Sequence, residues 1–202
     1  MDDDAAAGRD DVERRSAHLG EQGSSGSLRK HGSDEPRGRT PAGHDRDQPR
    51  GGPHLTEQSL SEVLARMSAT EPGPAAGSAA AISAAMAAAL VAKTARLSHR
   101  QLPDGAEVAT SAQKLRERAL DLAQADAAGV RAMITGEDPP DDPSAIPQQI
   151  GAIARQVSDL ATDVHTRGKA SLRADAKAAL NLARAAIDTI AAILASNADR
   201  ER

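Results

Sequence analysis

Residues 78–92 read Ser-Ala-Ala-Ala-Ile-Ser-Ala-Ala-Met-Ala-Ala-Ala-Leu-Val-Ala, small on nearly every face. A helix of this kind can approach its neighbours to ~8 Å, the short end of interaxial distances. The stretch therefore predicts a central helix, with others packed around it and room for some of them to come from a second subunit. It follows the breaker Glu71-Pro72-Gly73-Pro74-Ala75-Ala76-Gly77. Ser78 is expected to cap it, and its pattern runs to about His99.

Working outward, the flanking segments are also helical. Leu60, Val63, Leu64 and Met67 fall at i, i+3, i+4 and i+7, opened by Ser59 and Glu62 in capping-box spacing. Asp104 with Glu107 repeats that spacing and opens a long helix reaching about Thr135, ended by Gly136 and the Pro139, Pro140, Pro143 cluster. Ile150, Ile153, Val157, Leu160 and Val164 mark a helix from about Pro147 to Thr166, with Gly168 as its C-terminal cap. The last helix, about Ser171 to Ser196, carries Leu172, Ala176, Ala179, Ala183, Ala186, Ile190 and Ile193 on one face. No stretch alternates with period two for long enough to suggest a strand. The expected class is all-α: an antiparallel bundle of five or more helices around the alanine-rich one.

Composition divides the chain near residue 54. Residues 1–54 hold 9 Gly, 4 Pro and 20 charged residues, but only Met1, Val12, Leu19 and Leu28 as large aliphatics. Such a segment buries too little apolar surface to offset the entropy of ordering it, so a disordered arm is expected ahead of a helical domain at 55–202. Of the domain's 148 residues, 39 are Ala and 31 are Val, Ile, Leu or Met, so its core is aliphatic.

The chain has no Cys, Phe, Trp or Tyr among its 202 residues. That removes disulfides, thiolate chemistry and any aromatic platform for bases or cations. Net charge is -4, and residues 55–202 carry 16 basic against 18 acidic side chains, so no nucleic-acid partner is expected. The opening Met-Asp-Asp-Asp is the reverse of a basic signal-peptide start, and no run approaches ~18 large apolar residues. A soluble cytoplasmic protein without a membrane span is the expectation. His18, His31, His44 and His54 lie 13, 13 and 10 residues apart, which matches no common zinc spacing, and no metal is expected.

Three places could carry chemistry. At Pro72–Ser78, small residues ahead of a helix leave backbone N–H groups and the positive dipole end uncovered; Gly77 permits close approach and Ser78 adds a hydroxyl. An ordinary breaker with a serine cap explains the same residues. Asp126 lies four residues after Leu122, on the buried stripe that Leu115 and Leu122 define, where an acid is either paired with an arginine such as Arg131 or Arg155 or raised in pKa for acid/base work. Asp175 falls in the first turn of the last helix, a favourable place for any acid. His99 and His165 end helices, where a cation is equally at home.

The order of these features resembles the cyclodeaminase/cyclohydrolase family of folate enzymes. Pro72-Gly73-Pro74-Ala75-Ala76-Gly77-Ser78-Ala79-Ala80-Ala81 is similar to the family's Pro-Thr-Pro-Gly-Gly-Gly-Ser-Ala-Ala-Ala signature. Asp126-Ala127-Ala128-Gly129 stands where the family has Asp-x-x-Ala followed by an aromatic residue, and Gly168–Ala176 stands where it has a Gly-Asn-Pro-Asn turn leading to an aspartate. The resemblance spans residues 55–196. Ala75 and Ala76 replace two glycines, Gly129 stands at the aromatic position, Lys169 and Ser171 replace the asparagines, and Lys93 takes an apolar position. It implies a homodimer that binds a tetrahydrofolate derivative as substrate. The reaction is release of ammonia from 5-formiminotetrahydrofolate or hydrolysis of 5,10-methenyltetrahydrofolate. Carried over by position, Asp126 is the acid/base, Gly77 and Ser78 present donors to the substrate, and Asp175 orients the pterin or its neighbours. The alternative reading is a non-catalytic helical homodimer that keeps the scaffold as an interaction module.

Overall fold

The computed structural model describes residues 53–200; residues 1–52, nearly all of the expected arm, lie outside the described residues. Five helices follow in order: α1 (Leu60–Ser68), α2 (Ala76–Leu97), α3 (Gly105–Thr135), α4 (Ala145–Arg167) and α5 (Arg173–Arg200). Single 3-10 turns at Leu55–Glu57 and Ala170–Leu172 precede α1 and α5, and no strand occurs among the described residues. The fold is all-α.

Helices α2 to α5 run alternately up and down. Side-chain bonds at matched depths fix the directions: Ser78 to Asp126 and Arg96 to Gln113 set α2 against α3, Arg118 to Gln149 and Arg167 to Asp104 set α3 against α4, and Asn197 to Ser144 sets α5 against α4. α2 packs against α3, α4 and α5 and is the centre of the bundle. Ala81, Ala84, Ala87, Ala88 and Val91 are wholly excluded from solvent, so the small side chains let three helices close on one. The residual face of α2 is larger and open: Met86 is 45% and Leu97 52% exposed, with Ile82 and Leu90 half-buried between them.

Helix ends follow their local chemistry with two corrections. Ser59 and Glu62 make the expected reciprocal capping box on α1. Ser78 does not cap α2, which begins at Ala76 behind Ala75; its hydroxyl is drawn across to α3 instead. Asp104 precedes α3 without capping it, because its carboxylate is held by the Arg167 guanidinium at 3.1 and 2.9 Å. Gly168 is the C-terminal cap of α4, as expected, in extended backbone. A side chain there would meet the Val164 carbonyl and come within 3.1 Å of Ser98 Oγ, so close approach is what requires glycine. Gly136 after α3 is the left-handed one, at φ 71.

Two expectations about apolar surface change. On α1 only Val63 is buried, while Leu60 and Leu64 stand 67% and 55% exposed. Both α2 and the segment Ala170–Arg200 are long and apolar enough, by length and composition, to cross a membrane. The sequence expectation counted only large residues, whereas alanine supplies most of this hydropathy. For α2, 56% of the apolar stretch is buried inside the protein, as a central helix requires.

Replacing Ala88 by leucine forces a larger side chain into that closed packing, with an expected loss of about 1–3 kcal/mol of stability in urea unfolding. Ala178→Gln, on the exposed face of α5, is expected to change stability by no more than about 0.5 kcal/mol.

Candidate functional site

The buried stripe of α3 presents Leu122 and then Asp126 toward the first turn of α2, as their spacing predicts; Leu115 is only half-buried. Asp126 is 8% exposed. Its Oδ2 lies 2.8 Å from Ser78 Oγ, and Ser78 Oγ also lies 3.0 Å from the Ala123 carbonyl oxygen. Ser78 itself is wholly buried. A Cβ on Gly77 would fall on the Asp126 carboxylate, so only glycine lets the acid sit against the backbone here. Three residues singled out in the sequence, Gly77, Ser78 and Asp126, are thus one cluster.

Burial of the Asp126 carboxyl raises its pKa above the usual carboxylate range, while any hydrogen bond that Ser78 donates to the carboxylate, from its backbone N–H or from its hydroxyl when that points to Asp126, acts in the opposite direction. The helix dipole of α2 also favours the anion, but desolvation prevails. Among the described residues no cation pairs with Asp126, so the expected alternative of a capping Arg131 or Arg155 is not what holds it.

One feature near Asp126 escaped sequence reading. Gln124 Oε1 accepts the backbone N–H of Leu55 at 2.9 Å, tying the segment ahead of α1 to α3 two residues from the acid. Nothing in periodicity separates that glutamine from other polar positions on α3. One turn further on, a Cβ at Gly129 would meet only Ile146 Cδ1, at 4.0 Å, so the position has room to spare.

Asp175 is not part of this cluster. It sits in the first turn of α5, as expected, and its Oδ2 accepts from Lys93 Nζ at 2.8 Å. Lys93 is fifteen residues beyond Ser78 on α2, which is about 22 Å along the helix. The two regions occupy opposite halves of the bundle. His99 is exposed, whereas His165 is half-buried with an Nδ1 that has no partner among the described residues. Among the described residues no three His, Asp or Glu side chains group as metal ligands. A groove of about 440 Å³ between α3 and α4 is lined by Ser111, Leu115, Gln156 and Leu160. Leu115 is eleven residues before Asp126, about 16 Å away, so that groove is a separate feature.

Gly77→Ala should cost about 1–3 kcal/mol, because either the acid or the helix must move. For Asp126 the sign is set by its raised pKa in the fold. The neutral form favours folding at low pH, and that contribution is lost as pH rises through the folded-state pKa. Asp126→Asn is therefore expected to gain melting temperature relative to the native protein as pH rises from about 4 toward neutrality. A difference that stays flat over that interval would contradict the raised pKa.

The Formiminotransferase-cyclodeaminase family model matches residues 59–142, which contain α1, α2, α3 and the Gly77–Ser78–Asp126 cluster. Among solved structures, formiminotetrahydrofolate cyclodeaminase from Thermotoga maritima is similar at 16% identity and a TM-score of 0.66, over 72% of this chain and 81% of that one. Comparison with curated proteins gives no match. The chain is thus similar to this family over α1 to α3 and shares its fold with the Thermotoga maritima cyclodeaminase.

Proposed function

We propose that the protein is a folate-dependent one-carbon enzyme, acting either as a 5-formiminotetrahydrofolate cyclodeaminase or as a 5,10-methenyltetrahydrofolate cyclohydrolase. The observation that carries this reading is the buried Asp126 carboxyl seated on the glycine step at the start of α2. Both reactions pass through a carbon between two nitrogens that is cationic in the methenyl form. A carboxyl group beside it can give a proton to departing ammonia or take one from attacking water. The first-turn amides of α2 and the bare Gly77 backbone supply donors for the polar edge of the substrate. Ser78, whose hydroxyl is bound to α3, acts on the substrate through Asp126.

The pterin-orienting role that family resemblance implies for Asp175 requires a second copy of the chain to bring the start of an α5 to the Asp126 end. A homodimer through α2 would do this and would cover the open stripe of Ile82, Met86, Leu90 and Leu97. The same open stripe favours the second reading, a non-catalytic helical module that dimerises.

The methenyl compound absorbs in the near ultraviolet and hydrolysis bleaches that band. The native protein is expected to accelerate bleaching, with Asp126→Asn slower by about 10²-fold or more. No acceleration over the spontaneous rate, together with no rise in melting temperature on adding folates, would contradict the enzyme reading and leave the module. Sedimentation should give a dimer for the native chain and a monomer for Met86→Lys; a native monomer would contradict the dimer.

A further inference from the structure

The hydroxyl of Ser78 lies within hydrogen-bond distance of two acceptors, the Ala123 carbonyl oxygen at 3.0 Å and Asp126 Oδ2 at 2.8 Å. A serine hydroxyl has one hydrogen to give and lone pairs to accept with. It can give a full, near-linear hydrogen bond to only one of these oxygens, a shared three-centre bond being weaker to each, and a carbonyl has no hydrogen to return. If Ser78 donates to an ionised Asp126, the Ala123 contact sets two oxygen lone pairs against each other in a wholly buried place. If Ser78 donates to Ala123, its lone pair faces Oδ2, and that contact is a hydrogen bond only when Oδ2 carries the proton.

The surroundings favour the second arrangement. α2 has no ionisable side chain before Lys93 and α4 none before Arg155. Ionisable groups around this end of the bundle include His54, Glu57, Glu62, Arg66 and Glu71 ahead of α2, Asp121 and Arg131 on α3 and Asp188 on α5, and among the described residues none forms an ion pair with Asp126. A buried anion with no cation beside it, and with the Ser78 backbone N–H replacing only part of its lost water, is the costlier state.

We propose that Ser78 is a positioning residue that directs a hydrogen-bonded chain, Asp126 Oδ2–H to Ser78 Oγ–H to the Ala123 carbonyl, and so keeps Asp126 as a neutral proton donor. Resting on the folate reading above, this selects the role of Asp126 in ammonia release. The C–N bond to the amino group of the tetrahedral intermediate breaks and its electron pair stays on the nitrogen. The Asp126 proton completes ammonia, and the carboxylate left behind faces the cationic methenyl product.

The chain of bonds is testable without any substrate, so its failure and that of the folate reading are distinguishable. Infrared spectra of the full-length protein at pH 7 should contain a protonated-carboxyl C=O band that Asp126→Asn removes. Absence of such a band in the native protein overturns the proposal, whatever the variants do. In Ser78→Ala, with folding checked by circular dichroism, the acid loses its acceptor. The pH midpoint for loss of the band should then fall. A midpoint that rises means that Ser78 donates to the carboxylate, and one that stays fixed means that the hydroxyl only fills space; either overturns the proposal.

Discussion

One contact governs the rest: the carboxyl group of Asp126 occupies the space that a side chain at residue 77 would need. It fixes the depth at which α3 crosses the start of α2, and with it the burial of Ser78 and the bond that Ser78 makes to α3. It also explains why the acid can be buried without a cation. The backbone of α2 comes close enough to replace part of the lost water, and the remaining deficit appears as a raised pKa. The acid is thus buried without a cation and held in place by a glycine and a serine, the arrangement that the proposed chemistry uses.

The alanine content serves the same geometry. Close packing of α2 against three neighbours leaves few ways to rotate or slide it, since each buried alanine already touches its surroundings. The far end is tied by other means, Arg167 bridging Asp104 and Asp163 and Lys93 reaching Asp175. These exposed ion pairs orient helix ends and contribute little energy of their own. The core thus sets the site, and the charges at the opposite end serve its alignment.

Much of this was legible in the sequence because helical periodicity and backbone punctuation are local signals. The central helix, the end of α3 at Thr135 and the buried stripe bearing Asp126 follow from spacing alone, and the Pro72–Pro74 breaker marks the gap before α2, which starts at Ala76 rather than behind a Ser78 cap. What stayed hidden depends on partners distant in sequence. Ser78 reads as a cap until an acid 48 residues away claims its hydroxyl. Asp104 reads as half of a capping box until Arg167, 63 residues on, takes its carboxylate. Family order put Asp175 beside Asp126 in function, but within one chain the length of α2 keeps them apart. The exposure of Leu60, Leu64 and Met86 could not be read from periodicity either, because an apolar stripe does not say whether anything covers it.

The most direct measurement is a backbone amide NMR titration of the intact protein with a tetrahydrofolate derivative. If ligand chemistry is centred on Asp126, the largest shifts fall on Ala76, Gly77, Asp126 and Gly129, where the first turn of α2 meets α3. Shifts confined to Ser111 and Gln156 in the α3–α4 groove, or no shifts at all, would contradict a site at Asp126.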